Sequence, residues 1–90
     1  MEKIRKAIAD KSIIKITDQD GRVRFVEPYA LFIGKDSILL HCYQVAGYSS
    51  SPEPTGWRNL KVVQITSTQI LGSFIPRKEF NANKLQGIIK

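Results

Sequence analysis

Ninety residues are enough for one domain and one core, and such a chain hides only about 60% of the surface that its unfolded form exposes. A deep cleft in addition to that core is therefore excluded. The formal charge is +6, from 14 Lys and Arg against 8 Asp and Glu, which favours anionic ligands, nucleic acid or acidic partners. The same charge also serves solubility, because it is spread along the chain rather than clustered. A single cysteine rules out an intrachain disulfide, and one Cys with one His cannot supply a four-ligand structural zinc site. No apolar run approaches the roughly 20 residues that span a bilayer. Met1 to Lys6 carries charge with no apolar stretch behind it, so the expectation is a cytoplasmic protein with no signal peptide and no membrane partner.

Residues Glu2 to Lys11 read as a short helix, with Ile4, Ala7, Ile8 and Lys11 at helical spacing. A free helix of this length is marginal and must dock on the rest of the fold. From Ser12 the pattern becomes β. Ile13 to Thr17 is rich in β-branched residues, and Asp18-Gln19-Asp20-Gly21 is a hairpin loop with Gly in the left-handed position. Arg22 to Glu27 alternates, which sends Arg22 and Arg24 to one face and Val23 and Phe25 to the other. Pro28 bends or ends that strand, and Tyr29 to Ile33 resumes it. After the turn Gly34-Lys35-Asp36 comes the longest strand, Ser37 to Val45. Its two faces carry Leu39, His41, Tyr43 and Val45 on one side and Ile38, Leu40 and Cys42 on the other, the pattern of a central strand. Ala46 to Gly56 is a long loop, Trp57 to Ile65 a further strand, and Gln69 to Ile75 a last short one that Gly72 could interrupt. Beyond Pro76 the basic tail, residues 76–90, reads as irregular. A helix (1–11) followed by about five short strands (12–75) with tight turns predicts a mostly β fold, a small, strongly bent barrel.

His41, the sole histidine, has no Ser, Cys or carboxylate at a diagnostic spacing. On a strand face beside Leu39 and Tyr43 it reads as a hydrogen-bonded, half-buried ring. Cys42 reads as a small buried apolar residue. Asp18, Asp20 and Asp36 are turn residues, and the Asp18-Gln19-Asp20-Gly21 stretch lacks the further ligands of a calcium loop. No phosphate-loop or dinucleotide fingerprint is present, so neither a metal nor a cofactor is expected and the chain does not read as an enzyme.

The segment from Gly47 to Arg58 is the most informative. Ser49 and Ser51 offer hydroxyls, Glu53 a carboxylate, and Gly47 and Gly56 allow close backbone approach. Trp57 and Arg58 set a stacking surface beside an anion-binding fork. Two readings stand for this segment. One is a site for a phosphate- or nucleobase-bearing ligand. The other is a structural loop in which Trp57 plugs the core and Arg58 pairs with Glu53.

The succession Val26-Glu27-Pro28-Tyr29, Ile38-Leu39-Leu40-His41-Cys42-Tyr43 and Trp57-Arg58-Asn59-Leu60 ending at Ile65 resembles the WYL domain family. Short free-standing members are the nearest in pattern, through Cys42-Tyr43-Gln44 and Glu53 to Arg58. The resemblance covers roughly Ile4 to Phe74. It implies an Sm-like five-stranded barrel behind a helix, and a ligand-sensing regulatory module of bacterial type. The family's Arg that opens the fourth strand falls on Arg58, its next basic residue on Lys61 and its closing Ile on Ile65. The family's second Arg is Gln64 here, its aromatic is Leu60, and the name-giving Trp-Tyr-Leu is absent near Ser37 to Leu40.

Together these readings predict a binding module for an anionic small molecule or nucleic acid. Arg58 would hold the anion, Trp57 would wall the pocket, Arg22, Arg24 and Lys61 would supply the field, and Ser49, Ser51, Glu53 and His41 would complete the site. The alternative is a homo-oligomeric or partner-binding interaction protein that assembles through sheet edges and takes no small ligand.

Overall fold

The computed structural model describes residues 1–85 and 87–89. The chain forms one N-terminal helix, α1 (Glu2–Asp10), followed by the strands β1 (Ser12–Asp18), β2 (Val23–Ile33), β3 (Ile38–Gly47), β4 (Gly56–Lys61), β5 (Ile65–Ser73) and β6 (Ile88–Ile89). All pairings are antiparallel, in the order β4-β3-β2-β1-β5, with β6 added beside β2. The mostly β architecture with a short leading helix is therefore present. The sheet is not closed, because its outer strands β4 and β5 make no pairing with one another among the described residues.

The helix forms where the spacing predicts it. Ile4 and Ala7 are buried and face the sheet, and Lys11 ends the helix in the left-handed conformation (φ 55°). The first hairpin also follows the sequence. Gly21 takes φ 78°, and Asp18 Oδ1 accepts from the backbone N–H groups of Asp20 and Arg22, which fixes the turn. Ile14, Ile16, Val26, Leu31, Leu40 and Cys42 point inward and meet Ile4 and Ala7 of α1 in one core.

Three elements differ from the sequence reading. Strand β2 runs on through Pro28, which keeps its place opposite Cys42, and a bulge between Pro28 and Ala30 leaves Tyr29 outside the ladder. The stretch Trp57 to Ile65 is not one strand. β4 ends at Lys61, a 3-10 turn covers Val62–Gln64, and Ile65 opens β5, which continues to Ser73 with a register shift in its pairing to β1 between Ile70 and Ser73, where Gly72 lies. The tail is not wholly irregular, since it has a 3-10 turn at Ala82–Lys84 and then β6. β1 pairs with β2 only from Val23 to Val26, and β6 pairs with Leu31 and Phe32 farther along the same strand.

The tail covers the outer face of β2, β3 and β4. Phe74 and Phe80 pack on Tyr29 with ring centroids 5.5 and 4.9 Å away. Arg77 reaches the buried Glu27 carboxylate through Nε (2.9 Å) and lies 3.6 Å above the Tyr43 ring. The sheet thus carries two layers, an inward core capped by α1 and an outward aromatic layer capped by the tail.

Candidate functional site

The loop from Tyr48 to Thr55 is built by its two bounding glycines and one arginine. Gly47 (φ 101°) lies opposite Arg24, where a Cβ would run into the Val23 carbonyl and the Arg24 backbone. Gly56 (φ 136°) lies under the Arg58 guanidinium, where a Cβ would sit 3.0 Å from Nη1. Arg58 donates from Nη2 to the Glu53 carbonyl (2.7 Å), Ser49 Oγ (3.1 Å) and Ser51 Oγ (3.4 Å), and from Nη1 to the Trp57 carbonyl (3.1 Å). The Ser49 hydroxyl in turn lies 2.8 Å from the Glu53 carbonyl. Arg58, Ser49, Ser51 and Glu53 therefore do come together, as a clamp that shapes the loop. The partner on Glu53 is its backbone carbonyl, and no carboxylate pairs with Arg58 among the described residues. The Nε hydrogen and one Nη1 hydrogen have no acceptor among the described residues.

A second anchor holds the same loop from the other side. Gln44 is fully buried and donates to the Tyr48 (2.7 Å) and Pro54 (3.3 Å) carbonyls, while its Oε1 accepts from Arg24 Nη1 (2.9 Å). The Arg24 and Arg22 guanidiniums lie 5.4 and 4.5 Å from the Tyr48 ring centre, in cation–π range. Arg22, Arg24 and Lys61 then line one small cavity of about 40 Å³ together with Asp18 and Gln64. It lies where the β1–β2 turn meets the 3-10 turn between β4 and β5, at the open seam of the sheet. Gln64 thus forms part of this cavity's wall and brings no cation to it.

Two carboxylates oppose the three cations at this mouth. Asp18 spends one carboxylate oxygen on the turn, and Asp20 pairs with Arg22 at 3.8 Å in an exposed, weak contact.

Trp57 and His41 stand apart from both groups, on the outward face. Their rings stack at 4.9 Å with an interplanar angle of 6°, and His41 Nδ1 is 2.8 Å from Asn59 Oδ1. The indole also meets Tyr29 at 5.0 Å and Tyr43 edge-on at 5.3 Å. Trp57 is half-buried in this layer rather than inside the inward core. The nine predicted site residues thus fall into three groups: the Arg58 clamp, the Arg22–Arg24–Lys61 mouth, and the Trp57–His41 stack.

Sequence reasoning missed Tyr48, Gln44 and the tail residues. Gln44 carried a signal, since it continues the inward register of Leu40 and Cys42 and so had to be buried with partners. Cys42 is fully buried and free, and burial pushes its thiol up to about 12. No group of three or more metal-ligating side chains occurs among the described residues, and no helix among them is long and apolar enough to cross a membrane. In comparisons with protein-family models, curated proteins and solved structures, nothing matches the chain.

Proposed function

We propose that the chain is a non-catalytic binding module of the WYL kind, an Sm-like bent barrel that takes an anionic, nucleotide- or nucleic-acid-like ligand. The observation that carries this reading is the convergence of Arg22, Arg24 and Lys61 on one cavity, three cations against Asp18 in its wall and Asp20 beside Arg22. Tyr48 and Gln44 fix two of those side chains before any ligand arrives, which lowers the ordering cost of binding. The strand order and the leading helix support the barrel, whose seam would lie between β4 and β5. In this reading Arg58 serves chiefly by holding the loop that carries Tyr48, and its remaining hydrogens add to the field.

The test uses ATP and a labelled single-stranded oligonucleotide as probes, with the double variant Arg22→Ala/Lys61→Ala. Both side chains are exposed, so the fold should lose no more than about 0.5 kcal/mol. Binding should weaken, and the slope of log affinity against log salt should fall by roughly 1–2 units for the oligonucleotide. Unchanged affinity and slope in this variant would remove the mouth from the mechanism.

One observation favours the second reading, assembly through sheet edges. Strand β5 has no strand paired on its outer side among the described residues, and none of its nine residues is charged. Sedimentation at increasing protein concentration separates this reading from the first.

A further inference from the structure

A groove of about 440 Å³ runs beside β5, between that strand and the first turn of α1, Met1 to Ile4. Four consecutive residues of β5, Ile65 to Thr68, line it. Side chains alternate between the two faces of a strand, so a groove that meets all four lies against the backbone edge. The ladder agrees. The Asp18 N–H donates to the Arg22 carbonyl, which turns the bonds of Asp18, and of Ile16 two residues back, toward β2. Thr68, opposite Ile16 in β5, therefore sends its own N–H and carbonyl outward. That carbonyl accepts from the Lys3 ammonium at 3.4 Å, a long and exposed contact that is easily displaced. Of the five large apolar side chains exposed among the described residues, four gather here: Met1 in the groove, Val63 just before β5, Leu71 on it and Ile75 just beyond it. The groove's charges balance, Glu2 against Lys3, and β5 has none, whereas the chain as a whole carries +6. The opposite edge strand, β4, is shorter and bears Arg58 and Lys61.

We infer that β5 pairs antiparallel with β5 of a second copy of this chain, about a two-fold axis. Outward backbone donors and acceptors at strand spacing select an extended polypeptide over a small molecule or a nucleic acid. The local neutrality selects the copy. Two chains of charge +6 can approach here without opposing like charges, and an acidic or basic partner gains nothing from a balanced groove. Pairing would cover Leu71 and the groove beside Met1, and it would supply partners for the Thr68 N–H and carbonyl. A two-fold arrangement uses the same strand on both sides and stops at two copies, whereas β5 against β4 would build rings or fibres. The inference rests on the second reading above, assembly through sheet edges, and names its strand, its partner and its symmetry. It does not rest on the cationic mouth.

The test is sedimentation velocity of the whole chain across a range of concentrations, with hydrogen exchange on the same samples. A concentration-dependent dimer is expected, in which the Thr68 amide exchanges more slowly than in the dilute monomer. Ser67→Lys/Gln69→Lys sets two exposed lysines on each edge and should weaken the dimer about tenfold. Ser67→Glu/Gln69→Glu should weaken it likewise, and a mixture of the two variants should form a one-to-one heterodimer in native mass spectrometry. A dimer with Thr68 unprotected and both variants pairing as wild type, or an assembly larger than two, would overturn the inference and leave assembly through another edge standing. A monomer at every concentration would overturn both.

Discussion

Arg77 donates from Nε to Oε1 of Glu27 at 2.9 Å, across 50 residues of sequence, and the Tyr29 hydroxyl donates to the same oxygen at 3.0 Å. The backbone N–H of Arg77 in turn donates to the Tyr29 hydroxyl at 2.9 Å. Two side chains from distant segments close on one buried carboxylate, and the Arg77 backbone braces one of them. Because Glu27 is only 6% exposed, its charge depends on these donors rather than on water.

Removing Arg77 strands that carboxylate. Arg77→Ala should cost about 2–3 kcal/mol, read by urea denaturation, and Glu27→Gln/Arg77→Met should cost less than the sum of the two single changes. Strict additivity in that cycle would mean that the pair does not hold the tail.

The Arg58 clamp predicts a loss that lysine does not repair. A single ammonium cannot serve the Glu53 and Trp57 carbonyls and the Ser49 and Ser51 hydroxyls together. Arg58→Lys and Arg58→Ala should both lower stability by about 1–2 kcal/mol and speed proteolytic nicking between Ser49 and Pro54. Wild-type nicking rates in Arg58→Lys would show the clamp to be dispensable.

Tyr29 sets the alkaline limit. Burial pushes its hydroxyl up to about 12, and the hydrogen bond it donates to Glu27 adds to this, while the Arg77 N–H pulls the other way. The folded value lies above that of an unfolded tyrosine, near 10. The contribution is therefore complete below pH 10 and is lost as pH rises toward 12. An ultraviolet titration should show one phenol ionising late, together with unfolding. Tyr29→Phe should remove that late phase.

The Cys42 thiol should be silent in the native protein. Its side chain is fully buried, and burial outweighs the lowering influence of Arg24 and Arg58. A disulfide reagent at pH 8 should label it only at the rate of opening, so labelling speeds up in urea and in Arg77→Ala. Stoichiometric labelling within seconds in buffer would contradict the packing around β3.

Much of the scaffold was legible because its signals are local. The helix spacing of Ile4 and Ala7, the Asp18–Gly21 turn and the alternation through β3 each need only neighbours in sequence. The break after Lys61 was not legible, since Val62-Val63-Gln64 has ordinary strand composition and turns only because β4 and β5 lie at opposite ends of the sheet. The tail was missed for a similar reason. Pro76, Lys78 and the asparagines read as irregular, and what holds the segment is Arg77 and Phe80 meeting residues of β2. Its one local hint was the set Phe74, Phe80 and Leu85, large apolar residues in a polar stretch. At the candidate site, residue types were readable while their grouping was not. Grouping depends on register, which places Trp57 opposite Tyr43 and Arg58 opposite Cys42, on opposite faces.

The bulge in β2 decouples the aromatic layer from the ladder's register. Pro28 pairs with Cys42 and Ala30 with His41, so Tyr29 is surplus to the ladder, yet its ring is the hub that Trp57, Phe74 and Phe80 share. Excising that one codon would leave Leu31 opposite Leu40 and the inward packing in frame. One surplus residue thus supplies the anchor for the whole aromatic layer while the ladder beneath it keeps its register.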